Sequence, residues 1–382
     1  REDEHGFPFV GNGEDDEPLI LGITSLKLMQ NISSLQDREA FLIFHLDATF
    51  KLSDIGYPVV TCGFTDRHRS YHLAALFIVS QRTRREYYES IGAFARIFRT
   101  HMKRPLRVDV IMGDAEEAQL NGLRDVAECA TCPYLMCFFH VMYNVRKRMR
   151  HLPDSVRAMV YRGILDMHYT LNQTEFWEVW GRVSQEWQCD RRLHVFLTYF
   201  AAQWIHSRFW RWQIYHSPGG YATTNNPCEV FNASIKRYTQ RKAADTRRLL
   251  MKLLTIAEDY SLCVPPPMAS GPNAPPQVAK QLARTLVSTN RVVVYATTEK
   301  SVVRVLYHCG AVKWSVRRAH HVGMPRGGWA VHLSTFECSC IFYKKFLSCA
   351  HIICGLAAYG LSVPGVNGSN LRFKDRRVRQ KR

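Results

Sequence analysis

A chain of 382 residues, 46% hydrophobic and 22% charged, has material for more than one buried core and is too apolar to be a disordered polyelectrolyte. Its longest apolar runs, such as HLAALFIVS at 72–80, are far too short to span a bilayer. The net charge is +18, and nine acids against three bases in the first forty residues leave +24 on the remainder, a surplus that points to a polyanion, most often nucleic acid.

Residues 1–36 are acidic, with GNGEDDEP as a loop, and read as a tail or edge element. No charged-then-apolar leader opens the chain, so an unsecreted, reduced protein is expected, and its twelve cysteines are then thiols rather than disulfides. From 41 the pattern changes. FLIFHLDATF (41–50), YPVVTCGFT (57–65) and HLAALFIVS (72–80) read as three strands separated by turn residues. REYYESIGAFARIFRTHM (85–102) follows with apolar residues at helical spacing. RVDVIMGD (107–114) reads as a fourth strand, residues 115–128 as a short helix and YLMCFFHV (134–141) as a fifth strand. Three meandering strands followed by parallel ones predict an α/β mixed sheet with helices on its faces.

From 142 to about 215–220 the chain is helical and rich in tryptophan (Trp177, Trp180, Trp187, Trp204, Trp210, Trp212), a cluster best read as the core of a helical insertion. A further helix is expected over 228–261. VPPPMASGPNAPPQ (264–277) is a linker, placed at 263–289. Beyond it, three β-like runs and the closing helix CAHIICGLAAYG form a small ββα module at 290–360, followed by a basic tail, 361–382. That tail suits phosphate contacts or a nuclear import signal.

Within the module, Cys338, Cys340, Cys349 and His351 form a C-x-C-x8-C-x-H set. Three thiolates and an imidazole are what structural zinc takes, and four protein ligands leave no open position for a substrate. Cys338 and Cys340 stand two apart at a strand end, so both sulfurs leave one face. Cys354 is a spare ligand or core. The spacing and its strand-then-helix context resemble the SWIM zinc finger. Cys129, Cys132, Cys137 and His140 have the composition of a second zinc site. Their short central gap favours buried thiols and a site histidine instead.

Three carboxylates stand far apart. Asp47 lies mid-strand, where an unpaired charge is costly to bury. Asp114 ends the fourth strand, where it could also cap a helix with Glu117. Glu229 opens a helix at Asn226-Pro227-Cys228-Glu229, itself a good helix start. Asp on a first strand, Asp at the end of a fourth and Glu on a later helix is the layout of ribonuclease H-like DDE nucleases. The stretches FHLDATFKLSDIGYPVVTCGFTD, DVIMGDAEEAQLNGL, CFFHVMYNVRKRM and NNPCEVFNASIKR resemble the Mutator-like (MULE) transposases, over roughly 37–360. The third carries that family's C-x2-H segment as Cys137 and His140, with Phe-Phe between them where a tryptophan usually precedes the histidine.

The resemblance implies a ribonuclease H-like DDE domain over 37–262, a zinc-binding SWIM finger over 290–360 and a nuclear protein acting on transposon and target DNA, assembled as a homo-oligomer. Asp47, Asp114 and Glu229 would then hold catalytic Mg²⁺ or Mn²⁺, since oxygen-only ligands suit hard divalent ions. Cys137 and His140 would orient the site. Glu229, Asn232 and Lys236 share one helix face, which offers Lys236 and Asn232 to a phosphate. A domesticated, DNA-binding transcriptional regulator without catalysis is the alternative expectation.

Overall fold

The computed structural model describes residues 11–262, 275–307 and 316–363. In chain order the elements are β1 (Ile20–Ile23), α1 (Leu26–Arg38), β2 (Ile43–Thr49), β3 (Val59–Thr65), β4 (Tyr71–Val79), α2 (Arg84–Met102), β5 (Val110–Gly113), α3 (Glu117–Arg124), β6 (Tyr134–Met136) and α4 (Phe138–Arg148). Helices α5 (Asp154–His168), α6 (Gln173–Gln188) and α7 (His194–Phe200) follow, then α8 (Asn226–Tyr238), α9 (Thr246–Ser261) and α10 (Gln277–Ser288). The chain closes with β7 (Val292–Ala296), β8 (Val302–Tyr307), α11 (Val316–His321), β9 (Trp329–His332), β10 (Glu337–Cys338), α12 (Ile341–Phe346) and α13 (Ala350–Ala358). Among the described residues, no helix is long and apolar enough to cross a membrane.

Two compact units result: residues up to His140 with those from Thr224 to the proline-rich stretch, and Val141–Thr223 with the C-terminal segment. The first is a six-stranded mixed sheet in the order β1-β4-β3-β2-β5-β6. β2, β3 and β4 form the expected antiparallel meander, and β5 and β6 add in parallel. Side chains alternate across a strand, so Asp47 and its cross-strand partner Thr61 share a face. Helix α8 packs on that face. Phe231 and Ile235 of α8 join Leu249, Leu253 and Ile256 of α9 against Val59, Leu76 and Ile78 of the sheet. Helix α2 starts in a capping box between Thr83 and Glu86 and buries Ile91, Phe94 and Phe98 at the spacing read from the sequence.

Of the two readings of the acidic N-terminal segment the edge element holds: β1 pairs at the sheet edge, and the amphipathic helix α1 follows with Leu28, Met29, Ile32 and Leu35 buried. Four expectations need correction. The fourth strand is confined to β5. The fifth strand ends at Met136, and His140 stands on helix α4, not on a strand. The long helix of 228–261 is two helices, parted where Gln240 and Arg241 both take left-handed φ of 58°. Finally, 277–288 is helix rather than linker: Ala279, Leu282, Ala283 and Leu286 of α10 enter the second unit's core.

In that second unit a four-stranded antiparallel sheet, β10-β9-β8-β7, packs with α10 and α13, so the β-like runs belong to a larger assembly than a ββα hairpin and helix. Trp187, Trp204 and Trp212 are fully buried, whereas Trp177 is 41% exposed. Trp187 packs edge-on against Trp180 and Phe200, which accounts for the aromatic density by core packing.

Candidate functional site

The three carboxylates of the sequence reading come into electrostatic contact within the first unit. β2 carries Asp47 towards α8, parallel pairing sets β5 beside β2, and Asp114 follows directly on Gly113. Gly113 has to lack a side chain: a Cβ there would lie 2.3 Å from the Tyr134 hydroxyl and 2.8 Å from Gln119 Nε2. The Tyr134 hydroxyl donates to the Asp114 carbonyl at 2.7 Å and fixes the turn. Asp114 does not cap α3, whose N-cap is Glu116. Its carboxylate lies 2.6 Å from His140 Nδ1, and Glu229 Oε1 lies 3.9 Å from the same nitrogen. Pro227 stands in the first turn of α8 and Glu229 follows it, near the positive helix end.

Asp47 is braced from the α8 side. Asn232 Nδ2 donates to Asp47 Oδ2 at 2.8 Å, and Asn232 Oδ1 accepts from the Thr61 hydroxyl at 2.9 Å. Asn232, expected to meet a phosphate, is 5% exposed, and its amide is engaged on both sides. Lys236, one turn further along α8, is half-buried.

Electrostatics follow from this crowding. Burial, then the Asp114 charge and the Glu229 charge, raise Asp47 to about 6 against the lowering bond from Asn232. Burial and Asp114 likewise raise Glu229, with the His140 charge opposing them. For His140, burial disfavours the cation, but the Asp114 carboxylate and the Cys137 thiol outweigh it and raise the imidazole to about 11. His140 therefore stands as a cation among acids.

Two supports were not singled out from the sequence. His45, fully buried one pleat from Asp47, contacts Asn225 Oδ1 at 2.9 Å through Nδ1 and Thr65 Oγ1 at 2.8 Å through Nε2. Asn225 Nδ2 donates to the Leu46 carbonyl at 3.1 Å, and the Asn225 N–H donates to Cys137 Sγ at 3.2 Å. The one sequence signal was the NNP triplet that starts α8.

Asp114, Cys137 and His140 present ligand atoms within 4.8 Å of one another. Cys129 and Cys132 are not in that group, and the Cys132 thiol donates to the Val108 carbonyl at 3.0 Å. The four-residue set of a second zinc site is thus not assembled, in keeping with buried thiols. Three acids share one electrostatic environment, Glu229 Oε1 is buried without a hydrogen bond, and oxygen ligands are what a hard divalent cation takes. Asp47 and Glu229 lie outside the 4.8 Å group.

In the second unit, the ligand atoms of Cys338, Cys340, Cys349 and His351 all lie within 4.8 Å of one another and all four residues are buried. Cys338 Sγ is 3.8 Å from His351 Nδ1, close to the edge of a tetrahedron built on zinc–sulfur bonds of about 2.3 Å. Cys340 and Cys349 are the N-caps of α12 and α13, and Cys340 Sγ accepts from the Tyr343 N–H at 3.3 Å. Hydrogen bonds from Cys340 and Cys349 hold the Cys338 thiol well below its ordinary range; burial and that neighbouring sulfur push the other two up. A divalent cation relieves this frustration by taking all three as thiolates. His351 Nε2, buried with no partner of its own, stacks with its ring on Tyr307 at 5.4 Å. The Ala350 N–H donates to His320 Nε2 at 3.1 Å and Trp329 Nε1 donates to the His320 carbonyl at 2.8 Å, so the ligand-bearing turn is braced from behind. Cys354 is buried outside the four-residue set.

The MULE transposase domain family matches residues 43–144, a span that contains Asp47, Asp114, Cys137 and His140. Glu229 and the cysteine cluster lie beyond the matched residues. Among curated proteins, none matches the chain.

Proposed function

We propose that this protein is a DNA strand-cleaving and strand-transferring enzyme of the MULE transposase kind, with Asp47, Asp114 and Glu229 as its metal-binding catalytic acids. The observation that carries the reading is that carboxylates 182 residues apart from first to last share one electrostatic environment: Asp47 feels the charges of Asp114 and Glu229, and those two stand by His140. The matched family over 43–144 and the strand order, an antiparallel meander continued by parallel strands, support a ribonuclease H-like fold. Mg²⁺ or Mn²⁺ held by these acids would supply an activated water or 3′-hydroxyl and a stabilised leaving oxygen.

The chain's own residues prepare that chemistry. Asn232 donates to one oxygen of Asp47 and the Ala48 N–H donates to the other, which fixes the rotamer and leaves the remaining lone pairs for a cation. His140 holds a proton beside Asp114 and Glu229 and offsets their repulsion. Cys137 and Asn225 tie the start of α8, and with it Glu229, to the end of β6. In the second unit the Cys₃His cluster reads as a structural zinc site of SWIM type, closed to substrate. On this reading the partner is DNA and the place of action the nucleus.

The test is to incubate the purified chain with duplex DNA carrying terminal inverted repeats and Mn²⁺, comparing wild type with Asp47→Ala and Glu229→Ala. Nicking by wild type and loss in both variants is expected. Equal nicking by all three removes the catalytic assignment, and binding without nicking by wild type favours a regulator derived from a transposase.

A further inference from the structure

Helix α8 does not end in an ordinary loop. Gln240 and Arg241 both adopt left-handed backbone, a conformation costly for residues with side chains, and turn the chain sharply towards α9. The turn is held on its far side: the Ala244 N–H donates to the Leu52 carbonyl at 2.9 Å and the Asp54 N–H donates to the Ala244 carbonyl at 3.0 Å. Ala244, Leu249 and Leu253 then enter the core, which leaves positions 237, 241, 242, 247 and 248 facing water.

Those positions are basic. Between 237 and 252 the chain has six basic residues, Arg237, Arg241, Lys242, Arg247, Arg248 and Lys252, and a single acid, Asp245. Asp245 is already engaged: it caps α9 by accepting from the Arg248 N–H at 2.9 Å and lies 3.3 Å from Arg248 Nε. Among the described residues, the other five basic side chains have no carboxylate within 4.0 Å. Arg247, Arg248 and Lys252 with Asp245 and Met251 line an open hollow at the start of α9. Five unneutralised cations on a pinned elbow repel one another and gain most from a regularly spaced polyanion.

Because nine residues of helix separate Glu229 from Tyr238, the elbow begins ~13 Å along the α8 axis from the acidic site. That distance is about four nucleotide steps of a duplex strand. We propose that this elbow is the phosphate-gripping surface for duplex DNA in the first unit, with Arg241, Lys242 and Arg247 as its main contacts. The proposal rests on the DNA-cleaving reading for its choice of polyanion, and the charge pattern alone carries the surface. It binds backbone and reads no sequence, because these side chains meet phosphates rather than base edges.

The test uses the full chain, EDTA and a fluorescein-labelled 25-bp duplex, with anisotropy titrations across a salt series. Arg241→Ala/Lys242→Ala/Arg247→Ala is compared with Lys27→Ala/Arg96→Ala/Arg124→Ala, which removes the same charge from exposed positions of α1, α2 and α3. At about 0.9 counterion per lost contact, the elbow variant should flatten the slope of log K against log salt by roughly 2–3 and bind at least ~tenfold more weakly at physiological salt. The scattered variant should keep the wild-type slope. An unchanged slope in the elbow variant, an equal loss in the scattered one, or equal displacement of the duplex by polyglutamate or single-stranded RNA overturns the proposal. Since EDTA prevents cleavage, failure here is separable from failure of the catalytic reading. If Asp47→Ala still nicks while the elbow variant loses binding, the acids fall and the elbow stands; a dead Asp47→Ala with a normally binding elbow variant means the reverse.

Discussion

Replacing Asn232 by alanine isolates the contact that holds Asp47. The bond is 2.8 Å long and its acceptor is a carboxylate in a buried setting, which places it in the charge-assisted class at about 1.5–3 kcal/mol. The substitution also leaves the Thr61 hydroxyl without its 2.9 Å acceptor, although that hydroxyl retains contacts to the Asp47 carbonyl and to Cys228 Sγ, both 3.3 Å away. A total loss of ~2–4 kcal/mol is therefore expected, most of it from Asp47. The assay is a double-mutant cycle of Asn232→Ala, Asp47→Ala and the pair, by urea unfolding in divalent-free buffer. A coupling of ~1.5–3 kcal/mol is expected, because once Asp47 is gone Asn232 has only Thr61 to serve. Coupling below about 0.5 kcal/mol would show that the amide does not hold the carboxylate, and the claim that α8 orients Asp47 would go with it.

Cys349→Ser should drop the chain's zinc content from one ion per molecule, measured by mass spectrometry of the metal, and lower the thermal stability of the second unit; structural zinc in peptides contributes on the order of 10 kcal/mol. A wild-type chain that holds no zinc and keeps its circular dichroism in chelator would contradict this. His216 should make stability depend on pH: burial, then the Arg211 charge, lower its imidazole from 6.5 to about 4. The unfolded chain then takes up a proton that the folded one refuses, so this contribution is intact above pH 6.5 and lost as pH falls through 4. At 1.36 kcal/mol per pH unit the loss is up to ~3 kcal/mol, and His216→Asn should flatten that part of the stability curve. An identical curve for the variant would refute it. Gly122→Ala should cost ~1–3 kcal/mol in urea unfolding, because the new Cβ would lie 2.5 Å from the Arg84 carbonyl and 2.7 Å from Tyr87 Cβ where α3 meets α2; a neutral outcome would mean the two helices can part.

The meander and α2 were legible because alternation and helical spacing are local signals, and so was the cysteine–histidine set, whose ligands fall within fourteen residues. The acids could be named by type and place in an element, but their meeting depends on parallel pairing of β2 with β5 and on a helix 182 residues beyond the first. YLMCFFHV misled because a short apolar run fits strand and helix alike; the chain spends three residues on β6 and then coils. No glycine or proline marks the break at Gln240–Arg241, so the joint between α8 and α9 was invisible. The run of prolines ahead of α10 hid a helix whose apolar face is plain once its partners are known. Contacts such as His45 with Asn225 join residues 180 apart and leave no periodic trace.

Lys345 lies on α12, in the eight residues between Cys340 and Cys349, and is 5% exposed. Its ammonium sits 2.6 Å from His168 Nε2 and 5.2 Å from the centre of the Tyr169 ring, and the Gly220 N–H donates to its carbonyl at 2.8 Å. His168 is kept neutral by burial and by that charge, with Nδ1–H donating to the Trp212 carbonyl at 2.7 Å and its ring stacked beside the indole. The loop that a metal would fold is thus also a plug seated in the tryptophan-rich helices. If the four side chains hold an ion, its removal should loosen the seat of a buried ammonium, and a change in tryptophan fluorescence on chelation is the expected sign of it.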